Sequence, residues 1–335
     1  MVFIYPVVEV ADFIYASRYG WLPQLLSVKG FMLRPEAKLG EAFALGLTLR
    51  ELLLRRYGVP LDGGVLMMDH GIMSQSFPEV FGLPKTPRNV VRIYKALDIN
   101  YGIAFDIPAR LGTAAQDPAA KRVKSVRELS RIAAEEGARR LKEMAEEAAK
   151  VGFKGLVPVV QGLYKDDVEL SAEESVRIMA ELWNSFTVAI GTGGRTLSQE
   201  DVVLIKYAVN AVEKYAAKHS VKVRIHLLGW SSPGRLDLDV VKRIYSADSL
   251  TPRRRAVEGK AYVIDRGVLR LVNARELASY SCTCPACTAH KEYVADPSGR
   301  RRNDVRMVHN VHMLQQYLNH MARNTLDDYL QKEKD

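Results

Sequence analysis

The feature that most constrains this chain is an alternation of short apolar runs with long amphipathic stretches, from about residue 60 onward. The short runs are rich in β-branched residues and predict strands. They lie at 65–69, 101–106, 155–161, 186–191, 222–229 and 243–248. The strands that open the fold must then lie within residues 1–60, where Ala37–Arg56 predicts a helix.

Helical periodicity fills the stretches between these strands. One predicted helix covers residues 124–152, with apolar residues on one face and charge on the other. A second opens at Ser171, where Glu174 has the spacing of a capping box, and runs to about Trp183. A third opens at Ser198 and runs to His219. Strands that alternate with helices indicate βαβ units and a parallel sheet.

The number of units favours one architecture within the α/β class. At least six units favour a (β/α)8 TIM barrel over a doubly wound sheet, and no Gly-x-Gly-x-x-Gly motif opens a helix after an early strand. Length alone allows one barrel or two ordinary domains, since 335 residues with 47 % apolar composition can bury a large core. We expect one barrel domain over residues 1–335.

Several predicted strands end at residues suited to chemistry or to base recognition. These are Asp69, Asp106, Gln161, Gly191, Gly229 and Asp248. The C-terminal strand ends of a barrel meet at one mouth, so three carboxylates and an amide would face one cavity. An Asp after a strand is often only a helix N-cap, but three around one rim are less readily explained in that way. Paired carboxylates suit glycosidic chemistry, with one as nucleophile and another as acid or base.

The three cysteines of the chain, Cys282, Cys284 and Cys287, lie within six residues. An odd number so closely spaced is a poor disulfide framework but a good start for a zinc site in a reducing compartment. A fourth ligand is available downstream at His290, His309 or His312. Four protein ligands leave no open position, so we predict a structural metal.

Charge and hydropathy bound the partners and the compartment. The net charge of +9 favours a polyanionic partner, although an ordinary basic surface has the same composition. No apolar run approaches the roughly 20 residues of a membrane helix. The N-terminal segment lacks a basic start and carries Glu9 and Asp12, so we expect a folded segment rather than a signal peptide. The protein is expected to be cytoplasmic.

These motifs, in this order, resemble the tRNA-guanine transglycosylase family. Cys-x-Cys-x-x-Cys followed by His309-Asn310 is similar to the family's zinc site. Six further segments resemble family motifs: VLMMDHG, IAFDIPARLG, VPVVQGLY, VAIGTGG, LLGWSSP and ADSLTPRRRAVEGKAYV. The matches cover roughly residues 60–320. The resemblance implies a barrel with a zinc-binding subdomain at about 270–320. We expect no C-terminal RNA-binding domain of the kind that archaeal members carry.

The resemblance also implies the reaction. Guanine in a nucleic acid, with tRNA favoured, would be replaced by a 7-deazaguanine through a covalent sugar intermediate. Asp248 would be the nucleophile that attacks C1′, and Asp69 the general acid and base. His309 would complete one structural Zn²⁺ site with the three cysteines. We expect a homodimer.

Other site residues follow from the same resemblance. Asp106 and Gln161 would read the purine edge, and Arg253, Arg254 and Arg255 would contact phosphate or neighbouring bases. The base would be held by Gly191, Thr192, Gly193, Leu228, Gly229 and Met73. Met73 stands where the family has a stacking aromatic residue, and Thr192 where it has a second glycine.

Three alternatives compete with this reading. The same exchange on DNA would use the same active site. A non-catalytic partner subunit would be expected to lack the nucleophile or the general base, and both are present in this chain. A zinc-containing nucleic-acid-binding protein without chemistry would leave the strand-end carboxylates unexplained, because acids weaken phosphate binding.

Overall fold

The computed structural model describes residues 2–20, 22–28, 30–34, 36–69, 76–107, 119, 123, 125–191, 199–230, 238–296 and 300–332. Side chains are described for these residues except 76, 199–200, 300–302 and 322–332. Met73, Thr192 and Gly193, three of the predicted base-binding residues, lie outside the described residues.

In the described part of the chain, nine short parallel strands form two sheets. Their order is β1-β9-β8-β7-β6 in one sheet and β2-β3-β4-β5 in the other. The strands are β1 (Phe3–Pro6), β2 (Gly30–Leu33), β3 (Val65–Met68), β4 (Tyr101–Ile103), β5 (Leu156–Val157), β6 (Val159–Val160), β7 (Ser185–Gly191), β8 (Lys222–Leu228) and β9 (Ile244–Ser249). The predicted α/β class with parallel strands is therefore confirmed.

The two sheets are in contact at both of their ends. Val7, just after β1, forms a parallel bridge with Met32 of β2. At the other end β5 and β6 are separated only by Pro158, which has no amide hydrogen to donate to a neighbouring strand. A compact apolar cluster takes side chains from both sheets: Tyr5, Val7, Met32, Met67, Ile103, Val157, Val159 and Ala189, with Leu228 packed against it.

Helices follow most of the strands and cover their outer side with a larger apolar core. They are α1 (Val10–Arg18), α2 (Leu22–Leu26), α3 (Ala37–Ala44), α4 (Leu49–Tyr57), α5 (Ser76–Phe81), α6 (Pro87–Ala96), α7 (Val126–Val151), α8 (Lys165–Ala180), α9 (Gln199–Lys218), α10 (Leu238–Arg243) and α11 (Thr251–Val257). The ends of α7 show why it forms there. Ser125 accepts a hydrogen bond from the backbone N of Glu128 at 3.1 Å, and Gly152 ends the helix at a φ of 68°.

Two predicted helices differ from those observed. The helix predicted from Ser171 begins at Lys165, and Ser171 lies inside it with its hydroxyl accepting from the backbone N of Gln161. The helix predicted over Ala37–Arg56 is divided into α3 and α4, because Thr48 caps a new helix by accepting from the backbone N of Glu51. In both places a hydroxyl found a backbone partner that periodicity does not reveal.

The C-terminal part of the chain packs on this core as a small region that contains the three cysteines. Its elements are β10 (Lys260–Asp265), antiparallel to β11 (Val268–Asn273), a 3-10 helix (Ala274–Ser279), α12 (Pro285–Ala295) and α13 (Arg300–Lys332). The long helix α13 contacts α11, α12, β10 and β1. Among the described residues, every helix is too short or too polar to cross a lipid bilayer.

Candidate active site and metal centre

Asp248 lies near the C-terminal end of β9 and is 6 % exposed. Its Oδ1 accepts a hydrogen bond of 2.8 Å from the backbone N of Gly229, directly after β8. Gly229 has a φ of 68°, in the left-handed region that a side chain would disfavour. The backbone N of Trp230 donates to the carbonyl O of Asp248 at 3.0 Å. The turn after β8 therefore fixes both the backbone and one carboxylate oxygen of this residue.

A fully buried histidine lies behind the same carboxylate. His226 places Nε2 3.3 Å from Oδ1 of Asp248 and Nδ1 2.8 Å from Oγ of Ser246. The ring of Tyr5 lies 5.9 Å away between centroids. Burial raises the pKa of Tyr5, so its hydroxyl stays protonated. Sequence reasoning missed His226, although a histidine inside an apolar strand was a visible signal.

Asp69 and Asp106 follow strands β3 and β4 of the four-stranded sheet, and both lie near Tyr94. Asp69 directly follows β3, and its backbone N donates to Leu33 O at 3.0 Å. The fully buried Tyr94 donates its hydroxyl to Ile103 O at 2.9 Å. Burial, with further contributions from Asp69 and Asp106, raises the pKa of Tyr94 well above its usual value. The two carboxylates therefore share one neighbourhood.

The approach of Tyr94 depends on a glycine in β4. A Cβ on Gly102 would lie 2.0 Å from the Tyr94 ring, so no other residue fits there without displacing the ring. Because the bridge between Val7 and Met32 is parallel, both sheets present their C-terminal strand ends at the same edge. Asp248 and Asp69 lie at strand ends on that edge, and Asp106 follows three residues after β4. That the three carboxylates act in one site stays a prediction.

Gln161 lies between the segment after β4 and helix α7. Its Oε1 accepts from the backbone N of Ile107 at 3.1 Å, and its Nε2 donates to Ala133 O at 2.9 Å. A Cβ on Gly137 would lie 2.8 Å from that Nε2, so the close approach of α7 needs a glycine. The amide thus fixes the backbone beside Asp106. Its role in reading the purine stays a prediction.

Two predicted base-binding positions are neighbours in the sheet. Gly191 is the last residue of β7 and is in register with Leu228, the last residue of β8. Leu228 is partly buried and packs against the apolar cluster that both sheets share. Gly191, Leu228 and Gly229 together form a small apolar surface next to Asp248.

The three predicted phosphate-binding arginines have different environments. They lie on helix α11, where a loop was expected. Arg253 makes a bidentate ion pair with Asp12, at 2.7 and 3.2 Å, and Arg255 pairs with Glu258 at 2.7 Å. Arg254 is exposed and makes no hydrogen bond or ion pair within the described part of the chain. Of the three, Arg254 is the most exposed and is the one without a hydrogen-bonded partner among the described residues.

Among the residues whose side chains are described, Arg253 is also the one cation that faces a group which we term the acid cluster, formed by Glu9, Asp12, Glu36 and Asp304. Burial raises the pKa of Glu36 to about 7, although its Oε1 accepts from the backbone N of Val10. Burial, and next the charge of Asp12, raises the pKa of Asp304 to about 7. The cluster joins α1, the start of α3, α11 and α13.

The predicted metal ligands are assembled as one group. Cys282, Cys284, Cys287 and His309 place their donor atoms within 4.8 Å of one another. The three sulfurs lie 3.6, 3.4 and 3.3 Å from Nδ1 of His309. A tetrahedral zinc with Zn–S of about 2.3 Å and Zn–N of about 2.0 Å would set these separations at about 3.5 Å. Hydrogen bonds with Cys284 and Cys287 lower the pKa of Cys282, which favours a thiolate donor. The four residues can hold a metal ion, and their spacing fits zinc.

His309 and Asn310 connect this centre to the region of Asp248. Nε2 of His309 donates to Tyr262 O at 2.8 Å, which leaves Nδ1 for a metal. Asn310 accepts from Tyr262 N at 2.8 Å and donates to Pro252 O at 3.1 Å. Pro252 lies in the first turn of α11, four residues after Asp248. The metal centre thus supports the helix that follows the candidate nucleophile.

The chain is an α/β protein with carboxylates at the C-terminal ends of its parallel strands. It also has a Cys3His group near its C-terminus. Together these features are typical of an α/β enzyme with a structural metal site. Comparison with known families identifies the group within that class. The family described as queuine tRNA-ribosyltransferase matches residues 83–335, and this chain belongs to that family. Its members are glycosyltransferase-type enzymes that act on tRNA. No curated protein matches the chain.

Proposed function

We propose that this protein exchanges guanine in a nucleic acid, with tRNA as the favoured substrate, for a 7-deazaguanine. The observation that carries the proposal is the state of Asp248. It is a buried carboxylate at a strand end, with one oxygen anchored by a backbone amide, in a chain of the transglycosylase family. A nucleophile needs such a rigid placement, because misplacement by about 1 Å costs orders of magnitude in rate.

The scaffold that we propose for this chemistry is a (β/α)8 barrel. Three observations support closure of the two sheets. Val7 bridges Met32 between β1 and β2, β5 and β6 continue one another around Pro158, and one apolar cluster takes residues from both sheets. Catalytic groups at the C-terminal strand ends are typical of this architecture.

The proposed reaction has two displacements at C1′ of the target ribose. In the first, a carboxylate oxygen of Asp248 bonds to C1′ and the bond from C1′ to guanine N9 breaks. The electron pair stays on guanine, which takes a proton from Asp69. In the second, the incoming base gives its N9 proton to Asp69 and attacks C1′, which releases the Asp248 carboxylate. The sum is base exchange without net oxidation or hydrolysis.

Base recognition is assigned to the residues around these carboxylates. Asp106 and Gln161 would read the purine edge, with Gly191, Thr192 and Gly193 along one side. Leu228, Gly229 and Met73 would pack against it. The target nucleotide has to leave its stack to reach a buried carboxylate. Arg254 is the arginine of α11 best placed to contact a phosphate, because it is exposed and unpaired within the described residues.

The metal has a supporting part in this proposal. Zinc held by the three cysteines and His309 would be closed to substrate, with four protein ligands and no open position. It would stabilise the link from His309 and Asn310 to the start of α11. We therefore assign no reaction step to it.

The test compares two variants by denaturing gel electrophoresis of enzyme mixed with labelled nucleic acid. Asp248→Asn loses the attacking oxygen's charge and is expected to form no covalent adduct. Asp69→Asn keeps the Asp248 carboxylate that attacks C1′, but it can neither protonate the leaving guanine nor deprotonate the incoming base. The adduct is expected to form more slowly than in wild type and then to persist, because the second displacement is blocked. An adduct that persists in Asp248→Asn would show that another residue, with Asp106 next in line, is the nucleophile.

Substrate class is tested separately with radiolabelled guanine and two pools, total tRNA and genomic DNA. Retention of label in tRNA supports the proposal, and retention in DNA alone would assign the same chemistry to DNA. Retention in neither pool by wild-type enzyme, while the protein binds tRNA, would favour a non-catalytic partner subunit.

A further inference from the structure

The two oxygens of the Asp248 carboxylate have different environments. Oδ1 accepts from Gly229 N at 2.8 Å and lies 3.3 Å from Nε2 of His226. Oδ2 makes no hydrogen bond to any other described residue. An oxygen with two donors is held in place and is a weaker nucleophile than its partner. Attack on C1′ therefore falls to Oδ2.

The hydrogen bonds of His226 define where its proton lies. A carboxylate can only accept, so the contact between Nε2 of His226 and Oδ1 of Asp248 requires the hydrogen of the imidazole on Nε2. Nδ1 is then left as an acceptor for the hydroxyl of Ser246. The three members of this network, Ser246, His226 and Asp248, are at most 6 % exposed.

We propose that His226 is a positioning residue that orients Asp248 and stabilises its departure as a carboxylate, with Oδ2 as the attacking oxygen. This inference rests on the proposed function. In the covalent intermediate Oδ2 is esterified to C1′, and Oδ1 is the ester carbonyl oxygen, a weaker acceptor than a carboxylate. When the incoming base attacks C1′, the ester bond breaks and the charge returns to the carboxylate. The hydrogen bond from Nε2 of His226 to Oδ1 is then stronger than in the intermediate, so it stabilises the transition state of this second step.

His226→Phe keeps a ring in the cavity but removes the donor. We expect base exchange to fall by about 10- to 100-fold, the range for loss of one hydrogen bond to a charged group. The fraction of enzyme trapped as the covalent adduct is expected to rise, because departure of Asp248 is slowed. His226→Gln carries an amide N–H at the position of Nε2 and is expected to restore most of the exchange.

The outcomes separate this inference from the proposed function. If wild-type enzyme forms no adduct and exchanges no base, the proposed function fails. If wild-type enzyme does both and His226→Phe exchanges at the wild-type rate, this inference is wrong. It is also wrong if the adduct decreases together with the exchange, or if His226→Gln is no better than His226→Phe, since a purely structural role would give these results.

A measurement on the unaltered protein covers the case in which His226→Phe does not fold. Long-range ¹H–¹⁵N spectra of histidine-labelled enzyme report the tautomer of each imidazole, and His226→Gln assigns the signal. A hydrogen on Nε2 and none on Nδ1 is expected. A hydrogen on Nδ1 would overturn the proposed network.

Discussion

Helix α13 contributes residues to two polar clusters, the metal centre and the acid cluster, and the two are stabilised in different ways. The metal centre takes His309 from this helix and three cysteines from one loop. The acid cluster takes Asp304 from the same helix, and its other members come from α1, the start of α3 and α11. The first has four donors for one metal ion. The second has four carboxylates, Glu9, Asp12, Glu36 and Asp304, and among the side chains that the structure describes Arg253 is the cation that they face.

The two clusters show two ways in which the charge of buried polar groups can be compensated. Thiolates and imidazole are satisfied by a divalent cation, which contributes to folding directly. Among the described side chains, the acid cluster has more carboxylates than cations, and burial keeps Glu36 and Asp304 partly protonated near neutral pH. The metal centre should therefore respond strongly to loss of its ion, and the acid cluster to loss of Arg253 and to pH. Four predictions test this contrast, beginning with the largest expected effect.

Loss of the metal is expected to have the largest effect on stability. Cys284→Ser should reduce the zinc content from one per chain to near zero and lower the thermal midpoint by more than about 10 °C, because structural zinc supplies several kcal/mol of folding free energy. Elemental analysis and thermal unfolding measure both quantities. Thr283→Ala, at an exposed position between two ligands, is the matched control. A folded wild-type protein without metal under reducing conditions would contradict the prediction.

Loss of the one cation in the acid cluster comes second. Arg253→Ala leaves Asp12, which is 4 % exposed, without its bidentate partner. We expect a loss of about 1–3 kcal/mol in the free energy of unfolding, less than for a fully buried pair, because Arg253 is partly exposed and Asp12 can take up a proton. Urea unfolding measures it. Arg254→Ala, the next residue on the same helix, should change stability by less than about 0.5 kcal/mol.

The two clusters also differ in how far the sequence predicted them. Three cysteines within six residues point to zinc without any knowledge of the fold, and the strand-end carboxylates follow from the period of the strands. The acid cluster joins residues 9, 12, 36, 253 and 304, whose proximity exists only after folding. The same limit explains why Arg253 was predicted to bind phosphate: its partner Asp12 is 241 residues away in the chain.

His226 and Gln161 show the limit at the site itself. Each was visible as a polar residue in an apolar strand, but the direction of its hydrogen bonds depends on neighbours from other elements. Ser246 and Asp248 orient His226, and Ile107 and Ala133 hold Gln161. Residue type and strand position predicted which residues belong to the candidate site, whereas the pairing within it required the packed structure.

The third prediction concerns nucleic-acid binding by α11. Arg254→Ala should weaken tRNA binding by about 3- to 10-fold at 0.15 M salt and reduce the slope of log affinity against log salt by about 1, as for loss of one phosphate contact. Arg253→Ala should change that slope less, because its guanidinium is already paired with Asp12. Fluorescence anisotropy over a salt series measures both variants. Equal slopes for wild type and Arg254→Ala would show that this helix is only a solvated surface.

The smallest expected effect is the pH dependence of the acid cluster. The pKa of Asp304 rises from 3.8 in the unfolded chain to about 7 in the folded protein, through burial and the charge of Asp12. Between these values the folded state binds a proton that the unfolded state does not, so this group's contribution to stability is present below about pH 4 and is lost as the pH rises through 7. Glu36 has a pKa of about 7 for the same main reason and acts in the same direction.

Asp304→Asn removes the ionisation and keeps the shape of the side chain. The variant should therefore gain in thermal midpoint relative to wild type between pH 5 and pH 8, by a few degrees. Asp62→Asn, at an exposed position, should show no such gain. The facing groups, Glu9, Asp12 and Arg253, are unchanged in the variant, so the difference isolates the one proton. A difference between Asp304→Asn and wild type that does not vary with pH would show that Asp304 is already ionised in the folded protein at pH 5. The balance of the cluster would then rest on Arg253 alone.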